Sequence, residues 1–209
     1  MEKITLFFEK AKENYAVEDI TTEDTKMLFI LESPHKEELK AGVPLAGLSG
    51  RSMAKELFME QSIDPFGKHL KQLIEKNKPT IYGILNVCSF PLQSSAYPDQ
   101  DFVKEFQKEL KIAEALRISS AKRFSEQEKA MLHSMITDNF QSRLLAAIKE
   151  DTIIVPCGKF AEKYVTALSD QISLTIIGGV PHPSYNSWAR ERYKELIHKI
   201  REEGKKRTS

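Results

Sequence analysis

The sequence predicts an α/β protein, a three-layer αβα sandwich in which a four-stranded, mostly parallel sheet lies between helices. Three observations lead to this prediction. Four short apolar runs alternate with stretches of helical periodicity, which is the pattern of strands joined by crossover helices. The runs are apolar at successive positions, as expected for strands covered on both faces. No repeat, low-complexity segment or linker divides the 209 residues, so we expect a single domain over residues 1–209.

The predicted elements begin with a helix and the first strand. Apolar residues at helical spacing between positions 4 and 15 predict the helix, and the run Met27–Leu31, which ends before Pro34, predicts the strand. The other three strands are predicted at residues 81–87, 152–156 and 174–177. Further helices are predicted at residues 52–61, 67–76, 102–116, 159–168 and 189–200.

Residues 101–150 are longer than a crossover requires, so we expect a helical insertion there. Ser125 and Glu128 predict a capping box that opens a second helix of this insertion, and apolar residues between positions 140 and 148 predict a third. The sequence leaves open whether the insertion forms a cap or a surface for a partner. Residues 201–209 are polar, which predicts a flexible tail.

Composition excludes several classes of protein. The 31 Lys and Arg residues against 30 Asp and Glu residues give a net charge of +1, so contact with nucleic acid must come from a local patch. Cys88 and Cys157 are too few for a four-thiolate metal site, and no two histidines have the spacing of metal ligands on a helix. The N-terminus is charged, and no apolar run approaches ~18 residues. We expect a cytoplasmic protein without metal, cofactor or membrane partner.

Unusual segments follow the predicted strands, at residues 32–35, 88–91, 157–159 and 178–184. In open α/β sheets ligands bind beyond the carboxyl ends of the strands, so these segments define the candidate site. A glycine-rich segment at residues 42–52 follows the first of them. This segment lacks the glycine spacing and the lysine of a P-loop, which leaves either a phosphate-binding loop or a tight turn.

Three residues at or near this edge of the sheet are candidates for chemistry. Glu32 lies where a carboxylate would be partly desolvated and would face the crevice, although a helix-capping role fits equally well. His182 stands between two prolines that hold its backbone, which suits a site residue or a surface hydrogen-bonder. Asn86, in a buried strand, must either tie down loops or bind the polar edge of a ligand. Cys157 has no close basic neighbour, so we expect a small buried filler rather than a nucleophile.

Together these segments resemble the uracil-DNA glycosylase superfamily, in particular its small bacterial and archaeal branches. The family motif Gly-Glu-Ala-Pro-Gly, followed by Gly-x-Pro-Phe-x-Gly-x-x-Gly, is similar to residues 31–35 and 42–50. Thr-Asn-Val is similar to residues 85–87, Gly-x-x-Ala to residues 158–161, and His-Pro-Ser to residues 182–184. The matches follow the family order and span residues 27–190.

The chain resembles a divergent member of that family. Leu31 and His35 stand at two glycine positions of the first motif, and the iron–sulfur cysteines of the close relatives are missing. Leu45 stands where the family has an aromatic ring under the extruded base, which leaves Phe90 or Tyr97 to supply the ring.

The resemblance implies hydrolysis of the N-glycosidic bond of uracil or a related damaged base, extruded from DNA by a monomeric enzyme. Glu32 would orient a water, neutral His182 would donate to the base, and Asn86 would read its pairing edge. Leu45, Phe90 and His35 would complete the base pocket, and Tyr185 or Trp188 would wedge into the vacated stack. The residues implied to contact phosphates and DNA are Gly47, Ser49, Gly50, Arg51, Ser52, Gly158, Lys159, Ser184, Tyr185, Trp188, Arg190 and Arg192.

Two other functions fit the same residues. A non-catalytic nucleobase or nucleic-acid binding protein is favoured by Leu45 and the altered first motif. An N-glycosidase acting on a free nucleoside or nucleotide is compatible with the near-neutral charge. Salt dependence separates DNA binding from binding of an uncharged nucleoside.

Overall fold

A four-stranded, all-parallel sheet forms the centre of the protein, which a computed structural model describes over residues 1–208. The strands lie in the order β2-β1-β3-β4. Their bounds, all within one or two residues of those predicted, are β1 Met27–Leu31, β2 Tyr82–Asn86, β3 Ile153–Pro156 and β4 Thr175–Ile176. Leu31 is the register partner of Asn86, so β1 and β2 end level with each other. The side chains that follow β1 and end β2 are therefore neighbours.

Helices cover both faces of this sheet, which confirms the predicted αβα class. The helices of the described chain are α1 Glu2–Tyr15, α2 Lys36–Ala41, α3 Leu48–Phe58, α4 Phe66–Glu75, α5 Gln100–Glu105, α6 Gln107–Ile118, α7 Gln127–Ala147, α8 Lys159–Ser169 and α9 Lys194–Thr208. Short 3₁₀ turns lie at Ser94–Ala96, Ser184–Ala189 and Glu191–Tyr193. None of the helices within residues 1–208 combines the length and apolar composition needed to cross a membrane.

The side chains of successive strand residues pack alternately into two separate hydrophobic cores, one on each face of the sheet. Leu28 and Ile30 pack with buried residues of α1 and of α5 to α8. Phe29 and Leu31 point to the opposite face, where α3, α4 and α9 supply the cover. The alternation of strand side chains between two apolar layers explains why β1 is apolar at every position.

The insertion is built differently from its prediction. A single helix, α7, replaces the second and third predicted helices, and it begins at Gln127 rather than at a capping box. Glu128 pairs instead with Lys108 of α6 at 2.7 Å, which removes its carboxylate from the helix start. The stripe at residues 102–116 is divided between α5 and α6 at the buried Phe106. Phe106, Leu110 and Phe140 make this segment a layer of the core.

The C-terminal segment, for which polarity predicts a flexible tail, is helical as far as the structure describes it. Gly204 lies so close to the hydroxyl of Tyr82 that a side chain would collide with it. Arg207 Nη1 donates to the carbonyl of Asp151 at 2.8 Å. These contacts fix α9 against the first residue of β2 and the turn before β3, a tertiary effect that local composition does not encode. Ser209 lies outside the described residues.

Candidate functional site

A cavity of about 560 Å³ lies at the carboxyl edge of the sheet. Its volume is in the range of sites that hold small molecules. The loops after β1 and β4, the end of β2 and the last turn of α6 form its walls. Among the residues predicted for a site, the cavity brings together Glu32, His35, Leu45, Gly47, Ser49, Gly50, Asn86, His182, Ser184 and Tyr185. The candidate site of the sequence analysis is therefore largely one place in the structure.

Glu32 places a partly desolvated carboxylate in the cavity wall. It follows β1 directly, and its backbone carbonyl accepts a hydrogen bond from Cys88 N at 3.0 Å, which fixes the segment. Burial raises the pKa of Glu32 above its ordinary value, while the charge and hydrogen bond of Arg117 oppose that effect. Its Oε1 lies 3.1 Å from Arg117 Nη1. The carboxylate is thus held in place beside a cation and contacts the cavity.

Arg117 is the site residue that sequence reasoning missed. It stands next to the last residue of α6, and no sequence motif distinguishes it from the other basic residues of that helix. Its Nε is buried and has no hydrogen-bond partner among residues 1–208. Its charge also disfavours the protonated form of His182. The fold of the insertion alone brings this guanidinium to the sheet edge.

His182 presents a neutral imidazole to the cavity. Its Nδ1 accepts a hydrogen bond from Ser184 N at 3.2 Å and lies 3.0 Å from Ser184 Oγ. A backbone N–H only donates, so Nδ1 is unprotonated and Nε2 carries the hydrogen of the neutral ring. Burial, with a contribution from Arg117, lowers the pKa of His182 to about 4. At neutral pH the ring is therefore an uncharged donor through Nε2. Ser184, expected at a phosphate, instead fixes this tautomer.

The backbone around His182 is held from three sides. Gly158, at φ +93°, donates its N–H to Val180 O at 2.8 Å, and a Cβ there would lie 3.0 Å from His182 Cβ. The Trp188 indole donates to Pro181 O at 2.9 Å, and Ser187 Oγ donates to His182 O. Gly158 and Trp188 were expected at the DNA. In the structure both position the histidine loop, and Trp188 is fully buried, which rules out the wedge role.

Asn86 places an unpaired amide at the cavity. Its side chain is 1% exposed, yet neither Oδ1 nor Nδ2 has a hydrogen-bond partner within the described residues. The alternative that it ties down neighbouring loops is therefore wrong. Arg143 instead ties the segments together. Its Nη2 donates to the backbone carbonyls of Asn86 at 2.7 Å and Val87 at 2.9 Å, and its Nη1 pairs with Asp19. A buried amide with a free donor and a free acceptor is suited to a ligand.

The glycine-rich loop forms a rigid, aliphatic wall. Leu45 adopts φ +51° and donates its N–H to Glu38 Oε1 at 2.6 Å, while Glu38 Oε2 accepts from His35 N at 2.8 Å. Burial raises the pKa of Glu38, and these two N–H groups oppose that effect. Gly50 allows the helix to approach, since a side chain there would collide with the Leu45 carbonyl. The loop is therefore a tight turn whose backbone is held by the Glu38 carboxylate, a contact that the sequence did not predict.

His35, which the resemblance assigns to the base pocket, lies directly before a short helix at the cavity. It is the N-cap residue of α2, a helix that the sequence analysis did not predict. Its exposed side chain also lines the cavity. The imidazole is therefore at the mouth and not at the floor.

The aromatic residues expected to stack on a base are not in the cavity. Phe90 is fully buried, with its ring centroid 5.3 Å from that of Phe8 and 6.0 Å from that of Phe7. Tyr97 is buried, and its hydroxyl donates to Pro91 O at 2.7 Å. The prediction that either ring lines the site is wrong, because the segment after β2 turns into the α1 layer.

Tyr185 is the aromatic side chain at the cavity rim. It is 90% exposed and adopts φ +54°, followed by Asn186 at φ +52°, a costly conformation for two successive side-chain-bearing residues. Ser52 Oγ donates to Asn186 Oδ1 at 2.7 Å, and Arg190 Nη2 donates to Tyr185 O at 3.2 Å. Ser52 and Arg190 therefore support the loop that presents this ring.

The remaining residues expected at phosphates are dispersed. Gly47 is the N-cap of α3, and Ser49 lies in its first turn, at the cavity. Arg51 lines a separate hollow with Lys55, away from the cavity. Lys159 pairs with Glu162 at 2.9 Å and lines a neighbouring groove. The Arg192 guanidinium lies 4.7 Å from the centre of the Tyr193 ring.

Neither cysteine is placed for nucleophilic chemistry. Both are fully buried, and burial raises the pKa of Cys88 to about 12 and that of Cys157 further. The filler interpretation of Cys157 agrees with its place in the core. Within the part of the chain that the structure describes, no group of three His, Cys, Asp or Glu side chains is arranged to hold a metal ion.

No protein-family model matches this chain, and no curated protein matches it significantly. The interpretation of the cavity therefore depends on its own geometry: a carboxylate, a neutral imidazole donor and an unpaired amide around one volume.

Proposed function

We propose that the protein is an N-glycosidase that hydrolyses the bond between a nucleobase and its sugar, with uracil or a related damaged base in DNA as the substrate. The observation that carries the proposal is the amide of Asn86, buried and unpaired on both its nitrogen and its oxygen at the cavity. The pairing edge of uracil, hypoxanthine or xanthine offers an N–H beside a carbonyl oxygen. One amide can bind such an edge with both of its groups.

Glu32 and His182 supply the two halves of the reaction. As the C–N bond breaks, its electron pair moves to the base and positive charge develops on the sugar. Glu32, ionised beside Arg117, stabilises that charge, orients a water and accepts its proton as the water oxygen bonds to the anomeric carbon. His182 donates Nε2–H to the base oxygen on which negative charge grows. The proton taken by Glu32 leaves to the released base or to solvent.

The rim of the cavity supports an extruded base rather than a base within a duplex. Leu48 is 84% exposed and Tyr185 is 90% exposed, and both line the cavity. Exposed apolar side chains at such a mouth can occupy the space that the base leaves in the stack. Because Trp188 and Phe90 are buried in the core, Tyr185 takes the wedge role in this proposal.

A non-catalytic base-binding protein is the second candidate, and the Glu32–Arg117 pair is the observation that favours it. An ion pair satisfies the carboxylate, and Leu45 offers no ring to the base. Such a protein would bind uracil-containing DNA and leave the base attached.

Cleavage of end-labelled oligonucleotides that carry uracil, hypoxanthine or xanthine, each followed by alkali, tests the proposal. We expect alkali-dependent strand breaks with at least one of these bases. They should be lost in Glu32→Gln and His182→Ala and retained in Glu105→Gln, an exposed carboxylate paired with Lys10 at 3.0 Å. Undiminished breaks in Glu32→Gln would remove that residue from the mechanism. Binding without breaks for all three bases would support the second candidate.

A further inference from the structure

A second groove adjoins the cavity on the side of α6 and α8. It has a volume of about 330 Å³ and lies between the loop that follows α6 and the first turns of α8. Arg117 lines both the groove and the cavity, so the two hollows meet at its side chain. The groove therefore leads directly away from the candidate base-binding site.

The groove carries an excess of positive charge. Lys159 is neutralised by Glu162, the one carboxylate among the described residues that line it. Lys122 is exposed and has no ion-pair partner within residues 1–208. Lys163 donates to the carbonyl of Ser119 at 2.8 Å, which leaves its charge without a carboxylate. Two ammonium groups are therefore available to an anion.

Aromatic rings fix one of these ammonium groups at the groove wall. Lys163 Nζ lies 5.1 Å from the ring centroid of Phe160, 5.2 Å from that of Tyr164 and 5.9 Å from that of Phe124. Burial lowers the pKa of Lys163, and the charge of Lys129 adds to that effect. The Lys163 ammonium lies near other positive charges, so an anion that binds between them would stabilise its charged form.

We propose that this groove binds the phosphodiester backbone of the strand whose base enters the cavity, with Lys122 and Lys163 as its phosphate ligands. The proposal rests on the proposed base-binding function of the cavity, and it assigns to the insertion the positioning of the strand. Contacts with phosphates set the register of a protein on nucleic acid, while contacts with bases specify. The near-zero net charge of the chain makes such a local track necessary for binding.

Salt-dependent binding of an unmodified single-stranded DNA oligonucleotide, followed by fluorescence anisotropy, tests the proposal. In Lys122→Gln we expect the slope of log K against log salt to fall in magnitude by about 0.7, which is roughly a fivefold loss of affinity at about 0.1 M salt. Lys78→Gln is the matched control, because Lys78 is exposed near the start of β2, at the opposite edge of the sheet, and should bind as the parent does. Lys163→Gln should reproduce the loss of slope.

Several outcomes would overturn the proposal. Equal slopes in Lys122→Gln and Lys78→Gln would remove the groove from the binding surface. An equal loss of affinity for a nucleoside monophosphate and for the oligonucleotide would assign the groove to one phosphate of a free nucleotide. Because no bond is cleaved in this assay, an absence of glycosidase activity leaves the slopes interpretable. Asn86→Ala, which alters base contacts alone, should leave the slope unchanged.

Discussion

Replacing Asn86 by leucine tests whether its buried amide is kept for a ligand. The side chain is 1% exposed, and both of its polar atoms lack partners among the described residues. A buried polar group without a hydrogen bond costs roughly 1–3 kcal/mol. Water that enters the open cavity offsets part of this cost. Leucine has the same branching of heavy atoms as asparagine, but its two methyl groups are larger than the amide atoms they replace, which offsets part of the gain. We therefore expect Asn86→Leu to raise the free energy of unfolding by about 1 kcal/mol while it removes base binding.

Urea unfolding followed by the fluorescence of Trp188, the only tryptophan, measures this change. Asn139→Leu is the matched control, since Asn139 Oδ1 accepts a hydrogen bond from Arg143 Nε at 2.9 Å. The same chemical substitution should there lower the stability by about 1 kcal/mol, because a made hydrogen bond is lost. A loss of stability in Asn86→Leu as large as in the control would show that the amide is already paired in the folded protein. That result would refute the argument for a ligand at Asn86.

Three further predictions concern the groups around Glu32 and His182. Arg117→Gln removes the cation that opposes the raised pKa of Glu32, so the acidic limb of the pH–rate profile should move to higher pH, and an unmoved limb would separate Arg117 from catalysis. The pKa of His182 is lowered to about 4 in the folded protein, against about 6.5 in the unfolded chain, so the unfolded chain takes up the proton first as the pH falls. The free energy of unfolding should therefore decrease between pH 6.5 and pH 4, by up to about 3 kcal/mol. Urea midpoints measured against pH should vary less in His182→Gln. Gly158→Ala should lower the stability by about 1–2 kcal/mol and the activity by at least about tenfold, because the new Cβ would press on His182. Gly179→Ala is the control: Gly179 has φ +76° and no atom within 4 Å of the position that a Cβ would take, so this variant should lose stability alone. Equal activity in the two variants would contradict the positioning role of Gly158.

The strands and the edge they define follow from short-range information in the sequence. A strand covered on both faces is apolar at nearly every position, so the bounds of β1, β2 and β3 can be predicted from composition along the chain. Parallel strands share one carboxyl edge, which is why Glu32, Asn86 and His182 could be placed together without coordinates.

The side-chain directions of Phe90 and Trp188 could not be predicted from the sequence. Each stands in a segment next to the site, but the direction of its side chain depends on what the neighbouring layers leave open. The sequence shows an aromatic residue near a strand end in both cases. Packing determines whether each ring lies in the cavity or in the core. The Phe90 ring packs against α1, and the Trp188 ring packs near Phe29 and donates a hydrogen bond to Pro181 O.

The sequence by itself determined the αβα class, the position of the candidate site at the sheet edge and ten of the residues that line it, Glu32, Asn86 and His182 among them. Only the tertiary structure decided that Arg117 reaches Glu32, a contact between residues 85 positions apart. It also decided that Asn86 is unpaired and that His182 carries its hydrogen on Nε2. The physical reason is that periodicity reports which face of an element is buried. Protonation, pairing and ion-pair partners depend on which atoms of distant elements come within about 3 Å.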